Sequence, residues 1–415
     1  MDTTQKGAGY AWRNFIFIFL CGVSFAISLM VVPAGMGMLI EYFQCSASEA
    51  GWFMSFTSVA GTVIAFFTAP IQAKIGPKNM VLLGMACIII GDAICLFATD
   101  VTLFYVGRFI FGLANGLLAT AAPTLIAILF RDPSKRGLPN SVWALWIPIG
   151  QIIIMLLFAY LVSTFGGWQA AFVFALIFAA AATVCCFFFI TIPKERQMEA
   201  VAGTANVKIS DAFKSPYVIL CFLMVLFFAF AMSCYSSFAP TYYQMAGGMG
   251  LAEANNLNSI GTFAGIVGSL VVGVILGKVT NQPMVLFGAW IFAGIAMGIA
   301  FMFTDPALII ATCIAWGLLS NMIMPAVFTN VEWATPDPSV IGAAFGLLAI
   351  ASNGGGIPAA PIVGALVDAT GNWMLCCIPP AIASVLGIVC AAIFFAKRGP
   401  VCVRAMMEKE TRAKS

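Results

Sequence analysis

Long apolar stretches follow one another along the whole chain, and short polar segments separate them. About 20 apolar residues cross a bilayer as an α-helix, and several of these stretches are longer. Lipid offers the backbone no hydrogen-bond partner, and the alternating pattern of a membrane β-barrel strand is absent. The pattern therefore predicts an all-α integral membrane protein with twelve transmembrane helices. The spans lie at about residues 14–41, 50–72, 80–98, 102–130, 139–164, 168–192, 216–245, 253–277, 284–303, 306–333, 340–367 and 374–396.

One polar stretch between spans, PKERQMEAVAGTANVKISDAFKSP at 193–216, divides the chain into halves of six spans. The halves share residues at an offset of 204 or 205 positions: Gly112 with Gly317, Gly150 with Gly355, Trp168 with Trp373, Gly61 with Gly265, and Lys74 with Lys278. This repeat predicts two pseudo-symmetric six-helix bundles, an architecture found in transporters. We predict an N-terminal bundle at 1–192, a cytoplasmic linker at 193–215, a C-terminal bundle at 216–397 and a basic cytoplasmic tail at 398–415.

Charge distribution predicts the orientation of the spans. The chain is 62% hydrophobic and 8% charged, which excludes a soluble globular class. All lysines and arginines except Arg108 fall on one side of the twelve-span arrangement, whereas the opposite loops carry carboxylates only. By the positive-inside rule both termini are cytoplasmic, as expected for a multi-pass protein of the plasma (inner) membrane. The basic clusters thus indicate topology rather than nucleic-acid binding.

The inventory of reactive side chains argues against catalysis. Histidine is absent, and most of the 13 cysteines lie in apolar spans, where they are expected to act as small buried hydrophobes. No nucleotide-binding segment is present. We therefore expect no catalytic residue, no metal, no cofactor and no enzyme activity.

Arg108, in VGRFIFGLANG, is the single basic residue inside a span, where its charge costs about 3 kcal/mol or more. Arg108 and Asn115 share one helical face. Asp92 precedes the turn near Asp100 by as many residues as Arg108 follows it, so the two side chains should reach a similar depth. Either Asp92 pairs with Arg108, or Arg108 meets an anionic substrate, or the substrate competes with Asp92.

Several motifs resemble those of the major facilitator superfamily over roughly residues 13–397. GRFIFGLANG is similar to its fourth-helix motif, and GGWQAAFVF and TGNWMLCC are similar to two of its turns. APIQAKIGPKNM resembles the loop between helices 2 and 3, with Lys74, Gly76 and Lys78 as the cytoplasmic gate motif, although Ala73 replaces the usual aspartate. EWATPDPSVIGAAFG resembles the loop between helices 10 and 11, with Glu332 as its acidic residue. The eleventh span is similar to that of organic-anion symporters.

The resemblance implies a central cavity bounded by helices 1, 4, 7 and 10 and flanked by helices 2, 5, 8 and 11. The candidate substrate-binding residues are Arg108, Asn115, Trp146, Gln151, Tyr235, Asn321 and Asn353, and the four amides among them should lie near mid-depth. The amides have a second interpretation, because such groups also persist in membranes through hydrogen bonds between helices.

The function predicted from these residues is secondary active transport of a small organic anion, most simply a carboxylate, by alternating access. Proton symport is a candidate coupling mode, with Asp92 and Glu332 as the ion-pair or coupling residues. The expected partners are a small-molecule substrate, a proton and the lipid bilayer, with no nucleic acid, and the expected state is a monomer. The alternatives are an exporter of drugs or amphipathic solutes with the same fold, and a membrane-embedded enzyme.

Overall fold

The computed structural model describes residues 8–130, 132, 135–192, 197, 213–335 and 340–414, and within them the chain is helical with no β-strand. The first half forms α1 (Ala8–Ala34), α2 (Met36–Phe43), α3 (Ala47–Ala65), α4 (Thr68–Ile75), α5 (Pro77–Leu96), α6 (Val101–Leu129), α7 (Gly137–Trp143), α8 (Trp146–Phe165) and α9 (Gln169–Phe189). The second half forms α10 (Pro216–Met245), α11 (Leu251–Lys278), α12 (Gln282–Ile299), α13 (Pro306–Ser320), α14 (Ile323–Ala334), α15 (Ile341–Thr370), a 3₁₀ turn at Trp373–Cys377 and α16 (Ile378–Lys414).

The number of membrane-spanning helices agrees with the sequence. Within the described ranges, 11 helices are long and apolar enough to cross a membrane, and the count rises to 12 if the bent pair α3 and α4 forms one span. The angle between α3 and α4 is 63°. This confirms the predicted all-α membrane fold of two six-helix bundles.

Prolines account for three of the breaks inside predicted spans. Pro70, Pro148 and Pro325 lie in the first turns of α4, α8 and α14, just after the helix before each of them ends. A proline ring clashes with the carbonyl four residues earlier, and that carbonyl lies in or beside each break. Pro240 and Pro358, by contrast, lie inside the continuous helices α10 and α15.

The helices separate into two compact units, one from each half of the chain, with the short segment Ser46–Gly51 grouped with the second unit. Most of the predicted linker at 193–215 lies outside the described residues. The predicted tail from 398 onward continues α16 as far as Lys414.

Glycines at equivalent positions make equivalent helix contacts in the two units. A Cβ atom on Gly112 of α6 would lie 2.6 Å from the Thr57 carbonyl oxygen of α3, and one on Gly317 of α13 would lie 1.9 Å from the Gly261 carbonyl oxygen of α11. Each of these glycines thus lets the fourth span of its half touch the second. In the same way, Gly150 packs α8 on α1 and Gly355 packs α15 on α10. The sequence repeat is therefore a repeat of packing.

The predicted orientation can be tested at two outer turns. Glu253 is exposed in the first turn of α11, and Asp305 is exposed at the N-cap of α13. We expect single cysteines at Glu253 or Asp305 to react with a membrane-impermeant maleimide added to intact cells, in a background carrying Cys45→Ser. A cysteine at Lys208 should react only after the cells are opened. The reverse labelling pattern would contradict cytoplasmic termini.

Candidate functional site

Arg108 is fully buried inside the first unit, with 0% of its surface exposed. Its guanidinium donates from Nε to the Phe53 carbonyl oxygen at 3.0 Å and from Nη1 to the Ser28 carbonyl oxygen at 3.3 Å. Nη2 lies 3.8 Å from the Met54 sulfur. The guanidinium carbon also lies 4.5 Å from the centroid of the Phe111 ring. The charge is therefore held by carbonyls, a thioether and an aromatic face, all of them neutral.

The direct ion pair between Asp92 and Arg108 that depth matching suggests is not formed. No nitrogen–oxygen distance between these two described side chains falls within 4.0 Å, although their charges interact electrostatically. The reason is the direction of the guanidinium, which reaches the backbone of α1 and α3 instead of the α5 carboxylate.

Close packing of α5 on α6 brings the two charges near one another. A Cβ atom on Gly91 would lie 2.6 Å from the Phe111 backbone nitrogen, and one on Gly107 would lie 2.8 Å from the Gly91 carbonyl oxygen. Side chains on both glycines would force the helices apart. Asp100 caps α6 by accepting from the Leu103 backbone nitrogen at 2.9 Å, which fixes where the helix begins.

Asp92 lies in a poorly solvated position beside Ser28. Its side chain is 0% exposed, and neither carboxylate oxygen has a hydrogen-bond partner. The Ser28 hydroxyl lies close enough to interact with the carboxylate, although it has no hydrogen-bond partner. Ser28 therefore lies beside both charged residues: its hydroxyl is near Asp92, and its carbonyl oxygen accepts from Arg108. Sequence reasoning missed Ser28, because a serine in an apolar span carries no distinguishing signal.

An aromatic stack supports the arginine from the side of α1 and α8. The rings of Trp143 and Trp146 lie 4.9 Å apart, Trp146 lies 5.6 Å from Phe25, and Phe25 lies 4.7 Å from Phe111. Phe111 in turn faces Arg108. Trp146, predicted as a cavity aromatic, is thus a buried member of this stack.

Two candidate binding residues of the first unit remain, Asn115 on α6 and Gln151 on α8. Between Arg108 and Asn115 on α6, Gly112 packs against Thr57 and Ala60 of α3, so this part of α6 contacts another helix and does not face an open cavity. Asn115 and Gln151 are partly exposed. Their role in binding stays a prediction.

In the second unit, Tyr235 belongs to a buried cluster. Its hydroxyl hydrogen-bonds the Tyr243 hydroxyl, and its ring stacks on Trp316 with centroids 4.1 Å apart. Cys313 donates to the Leu257 carbonyl oxygen at 3.4 Å nearby. Asn255 and Asn258 on α11 are also buried, and the sequence argument did not select them.

Two predicted amides bond within their own helices. Asn321 donates from Nδ2 to the Gly317 carbonyl oxygen at 3.0 Å, and Asn353 donates to the Ala349 carbonyl oxygen at 3.2 Å. Asn321 also covers Gly265, where a Cβ atom would lie 2.5 Å from its Nδ2. These contacts hold both side chains in defined positions and leave their proposed role in binding untested.

Gly76 and Lys78 of the gate motif make different structural contributions, and Lys74 is exposed. Gly76 has φ of 81°, a conformation that favours glycine, and it joins α4 to α5. Lys78 donates from Nζ to the carbonyl oxygens of Phe187 at 3.1 Å and Ile190 at 2.6 Å, at the end of α9. Lys74 is exposed, and so is Glu332 near the end of α14.

Lys78 should therefore stabilise the first unit. A cation at the C-terminal end of a helix and its hydrogen bonds together contribute about 1–2 kcal/mol at a partly exposed site. We expect Lys78→Met to lower the unfolding temperature of the detergent-purified protein by a few degrees. Lys74→Met serves as the matched control and should leave it unchanged. Equal shifts in the two variants would show that the hydrogen bonds from Lys78 to the end of α9 contribute nothing to stability.

Comparison with known proteins shows to which family this chain belongs. The sequence profile described as Major Facilitator Superfamily matches residues 16–360. A Bacillus subtilis protein named as a niacin/nicotinamide transporter is 30% identical over 133 residues, which cover 31% of this chain and 32% of that protein. The arabinose-proton symporter of Escherichia coli K12 is 22% identical over 151 residues, which cover 36% of this chain and 32% of the symporter. These alignments span about a third of each relative.

The fold comparison extends much further along the chain. The crystal structure of the nucleoside transporter NupG matches with a TM-score of 0.73 and covers 93% of this chain and 99% of that one. At 17% identity this likeness shows the fold alone. The profile match, however, covers most of the sequence, including the Arg108 motif. The chain belongs to the major facilitator superfamily of membrane transporters.

Proposed function

We propose that this secondary transporter moves a small organic anion, a carboxylate, by alternating access, with Arg108 as the group that attracts the anion. One observation carries the proposal: the only basic side chain inside the predicted spans is fully buried and is held by neutral acceptors. Among the described side chains, no carboxylate lies within 4.0 Å of its nitrogens.

A buried guanidinium without a close counter-ion is an energetically expensive arrangement. Carbonyl oxygens and a ring face offset part of that cost but leave the net charge in place. An anion that reaches Arg108 supplies the missing charge. A carboxylate suits the site best, since the planar guanidinium can bind its two oxygens through parallel hydrogen bonds.

Arg108 is enclosed in the conformation described, so a substrate reaches it only after the helices around it rearrange. Alternating access supplies such rearrangement in transporters built from repeated bundles. The relative named as a niacin/nicotinamide transporter supports the anion through niacin, a carboxylic acid, although nicotinamide is neutral, and the relative named as a proton symporter supports coupling to protons.

A ligand panel tests the proposal. We expect nicotinate or a short-chain monocarboxylate to raise the unfolding temperature of the purified protein, because a ligand that binds only the folded state stabilises it. Nicotinamide, arabinose and a lipophilic cationic dye serve as neutral and cationic counterparts. The compound that stabilises the protein should also be taken up by proteoliposomes. Stabilisation by the cationic dye alone would favour the exporter alternative.

A further inference from the structure

Two buried cysteines from different helices meet inside the first unit. Cys21 lies on α1 and Cys186 on α9, and both are fully buried free thiols. The Cys21 sulfur donates to the Ala182 carbonyl oxygen of α9 at 3.8 Å, one helical turn before Cys186. The two thiols are close enough for a direct interaction between their side chains. Neither thiol has a part in the proposed transport of a carboxylate.

The register between α1 and α9 explains why these two thiols meet. Three contacts lie along the same interface: Tyr10 donates to the Thr191 carbonyl oxygen, the Asn14 side chain accepts from the Thr191 backbone nitrogen at 3.1 Å, and the Phe17 ring stacks on Phe189 at 5.2 Å. Positions 10, 14, 17 and 21 are three or four residues apart, so they share one face of α1. Their partners come progressively earlier in the chain, as expected for antiparallel helices. Cys21 is therefore placed opposite Cys186 by the packing of the whole interface.

The side chains of α9 allow close approach on one face and leave the other face exposed. A disulfide requires its Cβ atoms to lie about 3.5–4.5 Å apart, and small residues let membrane helices come this close. The buried face of α9 carries such residues: Ala175, Ala179, Ala182 and Cys186. On the outside, Val184, Phe187 and Phe188 are each more than half exposed. Because α9 lies at the edge of the unit, a small uncharged molecule has a short path to the two sulfurs.

We propose that Cys21 and Cys186 form a redox modification site, where a small, membrane-permeant peroxide oxidises the two thiols to a disulfide between α1 and α9. One sulfur attacks the peroxide, which gives a sulfenic acid and one molecule of water. The second sulfur then displaces the hydroxyl group of that sulfenic acid as a second molecule of water. The two thiols lose two electrons and two protons in all, and hydrogen peroxide takes them up. A thiol reductant reverses the step by exchange.

Two neighbouring cysteines lack this arrangement. Cys185 precedes Cys186 on α9, so it points about 100° away around the helix, and it is partly exposed. It interacts with Cys21 electrostatically, whereas Cys186 does so directly. Cys95 on α5 is as deeply buried as the proposed pair, but its sulfur donates to the Phe104 carbonyl oxygen of α6 at 3.7 Å. Burial alone therefore does not select the site, and the meeting of two thiols does.

Peptide mapping by mass spectrometry of the purified full-length protein tests the site. The protein is treated with hydrogen peroxide, its remaining thiols are alkylated as it is unfolded, and it is digested without reduction. We expect the peptide that contains Cys21 to be linked to the peptide that contains Cys186, and the link to disappear after treatment with dithiothreitol. Cys95 should be recovered alkylated. Recovery of Cys21 and Cys186 as alkylated thiols after peroxide treatment would overturn the proposal.

Two adjacent alanine variants provide the matched comparison. Cys186→Ala should abolish the link from Cys21, and Cys185→Ala should preserve it, since alanine is already the common residue on the buried face of α9. A link from Cys21 to Cys185 that forms equally well in Cys186→Ala would refute the pairing assigned by the helix register. The map of the wild-type protein needs no variant, so it stands as a test even if one of the variants fails to fold.

Thermal unfolding provides a second readout that requires no transported substrate. The proposed disulfide joins residues far apart in the sequence, and such a bond stabilises a protein by restricting its unfolded chain. We expect peroxide-treated wild type to unfold at a temperature several degrees higher than the protein kept in dithiothreitol. The same treatment should leave the unfolding temperature of Cys186→Ala unchanged. An equal rise in Cys186→Ala would assign the stabilisation to another oxidised group and contradict a link between α1 and α9.

Discussion

Replacing Arg108 with glutamine is expected to lower carboxylate uptake by about a hundredfold or more. Hydrogen bonds to a charged group contribute about 1.5–3 kcal/mol each, and every 1.4 kcal/mol of lost binding is a tenfold loss. Glutamine keeps a donor near the carbonyls of Phe53 and Ser28 but brings no charge, so the anion meets a neutral site. Uptake into proteoliposomes, normalised to the reconstituted protein, measures the effect with the carboxylate that the ligand panel selects.

Arg108→Lys distinguishes charge from geometry. Lysine keeps the positive charge but replaces the planar set of donors with a single ammonium group, so we expect a loss of about tenfold. Asn115→Ala, further along α6, should raise the apparent substrate constant more modestly. If the lysine variant behaves like wild type, charge alone attracts the anion and bidentate binding is unnecessary.

A second arginine provides the matched control. Arg136 also donates to backbone carbonyls, to Phe130 at 2.7 Å and to Ala127 at 3.2 Å, but it lies beyond the end of α6. Arg136→Gln removes comparable hydrogen bonds, so it should affect stability without a selective loss of carboxylate uptake. Full uptake by a well-folded Arg108→Gln variant would make Arg108 a structural residue and remove the main argument for an anion.

The sequence identified Arg108 because a charge inside an apolar span is conspicuous, and it placed Asp92 nearby by counting residues from the turn. It could not predict the direction of the guanidinium. That direction depends on carbonyl groups of α1 and α3. Every residue has a backbone carbonyl, so the sequence does not show which of them will accept a hydrogen bond from Arg108. Ser28 went unnoticed because a serine in an apolar span is not distinctive, although its carbonyl accepts from Arg108 and its hydroxyl lies beside Asp92.

Helix breaks were partly predictable. Pro148 and Pro325 lie inside predicted spans, where a proline favours a break, and α8 and α14 do begin just before them. Pro70 follows the same rule and marks the bend between α3 and α4. Proline acts through its own ring and the carbonyl four residues earlier, so its effect is local and can be read from the chain. The ring partners of Trp146, by contrast, are Trp143 of α7 and Phe25 of α1, and the contact with α1 cannot be read from the chain.

The glycine repeat was visible in the sequence as an offset, and the structure gives it a physical cause. Gly317 lies where α13 touches α11, and a Cβ atom there would lie 1.9 Å from a backbone oxygen, a distance that cannot be relieved by turning a side chain. The same helix spacing explains why Gly265 and Gly268 also face α13. Small residues at such crossings allow membrane helices to approach closely.

Gly317→Ala should therefore cause one of the largest losses of stability available from a single methyl group. Forcing extra volume into a packed contact costs about 1–3 kcal/mol, and backbone against backbone should lie at the upper end of that range. We expect a sharply lower yield of monodisperse protein and a lower unfolding temperature. Gly112→Ala, at the equivalent contact in the first unit, should behave similarly, because its Cβ atom would lie 2.6 Å from the Thr57 carbonyl oxygen.

Gly288→Ala is the control that separates crowding from the general effect of replacing a helical glycine. Nothing lies within 4 Å of a Cβ atom at Gly288, which is inside α12. Alanine is preferred over glycine in helices by about 1 kcal/mol, so this variant should be at least as stable as wild type. Yield and unfolding temperature of the three variants are measured side by side. If Gly317→Ala matches Gly288→Ala, α11 and α13 can separate without cost, and the repeat does not reflect a packing requirement.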